Sequence, residues 1–331
     1  MKLLIAGGAG YIGSVLIPKL LDRGYQVDVV DLFWFGNHLP RETGIIRKDI
    51  FDISEADLAG YDQVVFLAGL SNDPMAEFAP SKNFVYNAAA PAYLAYVAKR
   101  AGVKRYVYGS SCSVYGYTDN ELFDETRPVS SSYPYGISKL QGEQAVMNLV
   151  DDKFSVIALR KGTASGYSPR MRLDLIVNTM FKTAVRDHAI TVNNPSIWRP
   201  IVSTGDATNA YIRAIEASER ISGIFNVASG NYTVGDTADL VRATVEEMLG
   251  IRVTLQIKHI RDLRNYKVNI EKAENILSFH PVDNVKSIVV DLVKNLAQFQ
   301  DWDNPAYYNI LTLKALESKG STASYMVGAT A

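Results

Sequence analysis

Apolar residues in the first half of the chain fall into short, nearly unbroken runs separated by longer stretches of helical periodicity. The runs cover residues 2–6, 26–31, 45–48, 63–68, 104–109 and 154–160. Most show no alternation with polar residues, which suits strands covered on both faces of a parallel sheet. Between several of them lie helical patterns at 14–23, 83–100 and 135–150, with Gly24 and Gly102 placed to cap the first two. Repetition of strand, helix and strand predicts right-handed crossovers and an α/β fold with a doubly wound parallel sheet.

Past about residue 165 this rhythm loosens. Helical spacing recurs at 173–186, from near Asp206, and at 233–249, where Leu240, Val241, Val245, Met248 and Leu249 share a face. These pieces predict a smaller α/β lobe at 166–311, interleaved with a return to the first domain (1–165) near 200–228. Residues 312–331 are rich in Ser, Thr, Ala and Gly and are expected to form a flexible, frayed tail. At about 150 residues per domain, 331 residues make about two such units.

Composition narrows the class. Apolar residues make up 47% and charged residues 21%, enough for a large core and against disorder. With 34 Lys and Arg against 35 Asp and Glu, the net charge of −1 offers no footprint for nucleic acid. One cysteine excludes intrachain disulfides and fits a reducing, cytoplasmic setting. The four histidines are too dispersed for a local zinc motif, so no metal is expected. No run approaches the ~18 apolar residues of a membrane span. The apolar run 3–6 stops at Gly7 and is too short for the core of a secretion signal, so it reads as a buried strand.

The first candidate chemistry follows that strand. Gly7-Gly8-Ala9-Gly10-Tyr11-Ile12-Gly13 lies between the first strand and the first helix. Glycines there let the backbone turn tightly and approach a pyrophosphate, whose charge meets the N–H groups of the helix start. A packing turn can carry the same glycines, but the strand–loop–helix setting favours a dinucleotide. Asp31 ends the second strand eighteen residues after Gly13, where a carboxylate can accept from both adenosine ribose hydroxyls. It would repel a 2′-phosphate, and Leu32-Phe33-Trp34-Phe35 supplies no basic residue in compensation, so NAD is expected in preference to NADP.

The second candidate is a reactive triad. Tyr135 and Lys139 lie four apart and share one face of a helix. That spacing is also expected by chance in this composition, and Ser110-Ser111 at the end of the fifth strand gives it weight. Strand C-termini are where a doubly wound sheet binds its ligand. A Tyr hydroxyl titrates near 10 when unperturbed, and a neighbouring ammonium together with a cationic nicotinamide ring would favour its phenolate. Tyr135 would then take the proton from a substrate alcohol while Ser111 held the same oxygen and Lys139 held the nicotinamide ribose.

With these pieces in place, the chain resembles an extended short-chain dehydrogenase/reductase of the NAD-dependent nucleotide-sugar epimerase/dehydratase family. The likeness spans about residues 2–300. It rests on the glycine loop, Asp31, Asp49-Ile50, Phe66-Leu67-Ala68-Gly69-Leu70, Ser110 through Gly116 and Tyr135-Gly136-Ile137-Ser138-Lys139. The resemblance implies a Rossmann fold, with Asp49 and Ile50 flanking the adenine and Leu67, Ala68 and Gly69 lining the cofactor. It places Asn87 at a helix asparagine that supports the site, and Arg199, Arg264 and Asn178 near a nucleotide diphosphate. Asp262-Leu263-Arg264-Asn265-Tyr266 is similar to a D-x-R-x-Y segment near that pocket.

Arg170, Arg172 and Arg261 join Arg199 and Arg264 as candidates, because guanidinium forks match phosphate oxygens, although a solvated face explains any one of them equally well. Departures from the family pattern narrow the reaction. Cys112 and Ser113 stand where 4,6-dehydratases carry Asp-Glu, and decarboxylating members also keep that Glu. Thr163 replaces an Asn of galactose-type epimerases. The Cys of 3,5-epimerases aligns with Ser113, leaving Cys112 as a small packing residue. The remaining expectation is NAD-dependent oxidoreduction at C4 of a nucleotide-diphosphate sugar, by a 4-epimerase or a 4-dehydrogenase/ketoreductase. An NAD-binding sensor without turnover and a reductase of non-sugar alcohols stay open, the first disfavoured by Ser111, Tyr135 and Lys139, the second by the arginines. The family's habit of pairing two long helices per subunit predicts a homodimer through 83–100 and 133–150.

Overall fold

The computed structural model describes residues 1–260 and 264–318. In chain order the first half comprises β1 (Lys2–Ala6), α1 (Gly13–Leu21), β2 (Gln26–Val30), β3 (Gly44–Ile46), α2 (Glu55–Leu58), β4 (Gln63–Phe66), α3 (Asp73–Phe78), α4 (Pro80–Phe84), α5 (Ala90–Arg100), β5 (Arg105–Ser111), β6 (Tyr117–Phe123), α6 (Pro134–Met147) and β7 (Ser155–Lys161). The second half comprises β8 (Thr163–Ser165), α7 (Ile176–Asp187), β9 (Ala189–Asn193), β10 (Trp198–Ser203), α8 (Thr204–Glu216), β11 (Gly223–Val227), β12 (Gly230–Thr233), α9 (Val234–Leu249), β13 (Thr254–Lys258), β14 (Asn265–Val268), α10 (Glu271–Leu277), α11 (Val285–Lys294) and α12 (Asn309–Ser318).

Seven strands form one sheet in the order β11-β7-β5-β4-β1-β2-β3, and every pairing is parallel. All six apolar runs of the first half lie in it. Helices cover both faces, with α1 and α8 on one side and α5 and α6 on the other, and bury the strands except β3 at the edge, where Ile45 is exposed. The order reverses at β1, which has β2 on one side and β4 on the other. A crevice therefore opens at the carboxyl edge between the β1 and β4 loops.

The smaller elements surround this edge. β8, β10 and β12 form a three-stranded sheet, β9 pairs β13, and β6 pairs β14. Helices α7, α9 and α11 close a separate core around Phe181, Val241 and Ile288. β11 returns from this region to complete the large sheet, pairing with β7.

Three elements differ from the periodicity. The helix expected over 83–100 is interrupted by a π-helical turn, Val85–Ala89, between α4 and α5. Pro91 has no N–H, so the carbonyl of Asn87 loses its usual helical partner. The Tyr108 hydroxyl donates to that carbonyl at 3.2 Å, and the Ala90 N–H reaches back to Val85. Helix α7 starts at Ile176, not at 173, because the Leu173 N–H bonds the Tyr307 carbonyl at 2.9 Å and Leu175, at the helix start, has extended backbone. The stretch expected to fray from residue 312 is helical as far as Ser318, held by Leu313 against Leu70, Met75 and Tyr86. The rest of that stretch, 319–331, lies outside the described residues.

Candidate active site

One large cavity, of about 640 Å³, lies along the carboxyl edge of the sheet and extends into the second lobe. Its wall carries Gly7, Gly10, Tyr11, Ile12, Gly13, Asp31, Asp49, Ile50, Leu67, Ala68, Gly69, Asn87, Ser111, Tyr135, Lys139, Arg172, Arg199 and Arg264. Residues from many elements and loops thus converge on one space.

The glycine loop is built by close approach. A side chain at Gly13 would place Cβ 2.1 Å from the Gly8 carbonyl oxygen, and one at Gly7 would place it 2.5 Å from the Ala68 backbone. At Gly10 the nearest atom is the Gly7 oxygen at 3.1 Å, so the loop's outer surface stays open to the cavity. Helix α1 begins at Gly13, aiming its first N–H groups along this surface. Asp31 braces the loop, accepting from the Ala9 N–H at 3.0 Å and the Phe33 N–H at 2.8 Å. Burial pushes its carboxyl above the usual range, and those backbone donors offset part of that. Two ribose hydroxyls would supply the donors such a carboxylate favours. The loop and Asp31 therefore fit a dinucleotide.

Basic residues absent from the 32–35 segment arrive through the fold. Arg170 lies over the Phe35 ring at 3.6 Å and bonds Asn309 at 2.5 Å, and its charge lowers the Asp31 carboxyl. Arg47 lies over Phe33 at 4.9 Å. Asp49 caps the short turn that follows it, accepting from Phe51 N–H at 3.0 Å, and the Tyr86 hydroxyl approaches it at 3.5 Å.

Asn87 links the cofactor side to the reactive side. Its amide donates to the Leu70 carbonyl and to Asn83 Oδ1, both at 2.8 Å, and Asn83 donates to the Pro134 carbonyl at 3.0 Å. That last contact fixes the start of α6, one residue before Tyr135. Gly69 sits at φ +130°, and a Cβ there would also strike Asn87 Oδ1 at 2.1 Å.

At the reactive end, Ser111 closes β5, and Tyr135 and Lys139 extend from α6. The Ser111 hydroxyl lies near that of Tyr135 and favours its phenolate. Ser111 also donates to Ser113 Oγ at 3.1 Å, and Ser113 meets the Tyr266 hydroxyl at 3.4 Å. The Arg199 guanidinium lies 5.5 Å from the Tyr266 ring, joining the second lobe to this chain of hydroxyls. Burial pushes Tyr135 up to about 12, against the lowering by Ser111 and Arg172. Lys139 is pushed well below its ordinary value, first by burial and then by the charge of Lys161. Within the protein's own groups, burial outweighs neighbouring charge at Tyr135.

Behind Ser111, a buried network pins α6 to the sheet. Ser110 donates to Glu143 at 2.7 Å, and Glu143 and Arg160 form a two-pronged pair with a shortest contact of 2.6 Å. Arg160 also donates to the Tyr115 hydroxyl at 2.9 Å. Cys112 points into this interior, donating to the Arg160 carbonyl at 3.0 Å, and burial raises its thiol far above the usual range. It is outside the cavity wall, as a packing residue should be.

The second-lobe residues divide. Arg172 pairs with Asp174 at 2.8 Å, Arg264 pairs with Asp73, and Arg199 bonds the Arg264 and Trp198 carbonyls. All three arginines face the cavity. Asn178, expected at a diphosphate, does not reach the cavity. It is fully buried in the first turn of α7, where its side chain bonds Gly166 N–H and O, the Arg172 carbonyl and Tyr11 Oη at 2.7–3.1 Å. It ties the glycine loop to the arginine segment. Arg261 and Asp262 lie outside the described residues. Lys161, Asp73 and Asn309 line the cavity without having been singled out, since nothing in their local sequence marks them.

Comparisons with known proteins agree with this geometry. Residues 3–228 match the NAD dependent epimerase/dehydratase family. The UDP-glucose 4-epimerase of Corynebacterium glutamicum is 26% identical over 314 residues, covering 88% of this chain and 94% of that protein. UDP-glucuronic acid decarboxylase 3 of Arabidopsis thaliana is 27% identical over 300 residues, covering 85% and 84%. Among solved structures, MoeE5 in complex with UDP-glucuronic acid and NAD superposes with a TM-score of 0.79 at 24% identity, covering 90% of this chain and 99% of that one. The chain therefore belongs to the NAD-dependent epimerase/dehydratase family of enzymes, and its cofactor is NAD.

Proposed function

We propose that this protein oxidises and reduces C4 of a nucleotide-diphosphate sugar, with Tyr135 as acid/base and Ser111 and Lys139 as its partners. The observation that carries the reading is a single cavity with Ser111, Tyr135 and Lys139 at one place and Arg172, Arg199 and Arg264 around the rest. The similar proteins named above act on UDP sugars by their names. Bound NAD supplies a two-electron acceptor and the positive charge of its ring. That charge brings the Tyr135 hydroxyl down from about 12 toward the range where it can take a proton. Ser111 donates to the substrate oxygen, Tyr135 removes its proton, and Lys139 steadies the cofactor ribose and the phenolate. Ser113 offers a hydroxyl where an eliminating or decarboxylating enzyme needs a carboxylate, which favours transfer at C4 alone.

In this reading 1–165 and the return at 200–228 hold the dinucleotide through Asp31, Asp49, Ile50 and the glycine loop, while 166–311 hold the diphosphate through Arg172, Arg199 and Arg264. Asn178 serves as a positioning residue for that segment. The protein acts as a cytoplasmic homodimer paired through α5 and α6. Among the described residues, no helix is long and apolar enough to cross a membrane, and Tyr96 of α5 is half exposed on the proposed dimer surface. The test is native mass spectrometry for bound NAD and subunit number, followed by a nucleotide-sugar panel read by NMR and absorbance at 340 nm. C4 inversion without lasting NADH marks an epimerase, and accumulating NADH marks a dehydrogenase. No change in any sugar nucleotide, with NAD bound, would sink the proposal.

A further inference from the structure

Lys161 ends β7 and lies opposite Ser111 in the β5–β7 register. Its Nζ donates to the Tyr211 hydroxyl at 2.7 Å and the Ser110 carbonyl at 3.4 Å. Both partners are neutral. Arg172 and Arg264 in the same cavity have carboxylates, whereas among the described residues no Asp or Glu lies within ion-pair distance of Lys161. A cation set deep in a cavity wall without an acid partner is costly unless it does something there.

The strand order fixes which end of a dinucleotide it faces. Asp31 on β2 lies on one side of the glycine loop, and β4, β5 and β7 lie on the other. With the adenosine ribose at Asp31, the nicotinamide falls at Ser111 and Lys161. We propose that Lys161 senses the charge of the bound dinucleotide: its ammonium disfavours the cationic ring of NAD but not the neutral ring of NADH, so the protein prefers reduced cofactor at neutral pH. This rests on the placement of the dinucleotide given above. Such a preference retains reduced cofactor while a keto sugar is still bound, which an epimerase requires.

The groups facing Lys161 allow it to titrate near neutrality. Helix α8 contributes Tyr211, which burial keeps protonated, and the turn after β5 contributes the equally protonated Cys112 thiol. Helix α6 contributes Lys139, whose own neighbouring acid, Glu143, is already committed to Arg160. Burial brings Lys161 down to about 8. A cationic ring pushes it lower and a neutral ring lets it rise, and each unit of difference between the two is a factor of ten in relative affinity.

The experiment measures Kd for NAD and for NADH on cofactor-depleted protein at pH 7 and pH 9, for the native chain, Lys161→Met and Lys161→Arg, with folding checked by circular dichroism. In the native protein the ratio Kd(NAD)/Kd(NADH) should fall by about tenfold from pH 7 to pH 9. It should be low and flat in Lys161→Met, and high and flat in Lys161→Arg, whose charge persists at both pH values. A flat ratio in the native protein, or an unchanged slope in Lys161→Met, would overturn the proposal. Failure of the folded native protein to bind either dinucleotide would overturn the placement of the cofactor and this inference with it.

Discussion

Replacing Glu143 by Leu tests whether the buried network behind β5 holds the catalytic helix. Side chains of Arg160 and Glu143 are 4% and 1% exposed, and they share three contacts between 2.6 and 3.2 Å. Removing the carboxylate leaves a buried guanidinium with the Tyr115 hydroxyl and deprives Ser110 of its acceptor. Breaking such a pair from one side costs about 3–5 kcal/mol. Against a total stability of roughly 5–15 kcal/mol, that is a large share. Arg160→Met should cost a similar amount by stranding the carboxylate. The double variant, with neither charge left, should recover much of the loss, because a buried pair replaced by apolar groups is often close to neutral. Urea denaturation followed by circular dichroism gives the three values, and their coupling should reach at least ~2 kcal/mol. Single variants costing under ~1 kcal/mol, or effects that add, would refute the argument that this pair anchors α6.

Other predictions concern the site itself. Tyr135→Phe should lower kcat by about 10²–10⁴-fold while leaving NAD affinity and the thermal midpoint near native, as read by steady-state kinetics and calorimetry. Gly69→Ala should destabilise the protein by ~2 kcal/mol or more and weaken NAD binding, since its φ of +130° and the 2.1 Å approach to Asn87 admit no Cβ. Lys161→Met should stabilise the cofactor-free protein at pH 7. The native Lys161 titrates at about 8 against 10.5 unfolded, so the unfolded chain binds more protons between these values and the native protein gains stability as pH rises through them. The variant's advantage, about 3 kcal/mol at pH 7, should vanish by about pH 10.5 in denaturation curves taken across that range.

The sequence alone determined six of the seven strands of the large sheet and the glycine loop that follows the first of them. Its apolar runs, all but the half-exposed β3 at the sheet edge, are largely buried, and a strand buried on both faces leaves a continuous apolar signature that no distant contact is needed to read. Gly7, Gly10, Gly13 and Asp31 were legible for a similar reason, because a turn without Cβ atoms and a strand-end carboxylate are local requirements. The short strands of the second lobe were not. β12 and β14, of four residues each, pair with strands far along the chain, such as β14 against β6, and carry too few residues for a period to show. Tertiary structure alone decided how side chains divide their work. It turned Asn178 inward to bond Gly166, Arg172 and Tyr11, brought Arg170 over Phe35, and made burial outweigh neighbouring charge at Tyr135. It also set Lys161 opposite Ser111 with no acid, among the described residues, in ion-pair reach. Each of these depends on which atoms surround a group in space, and desolvation and pairing are properties of that surrounding, not of the residue's place in the chain.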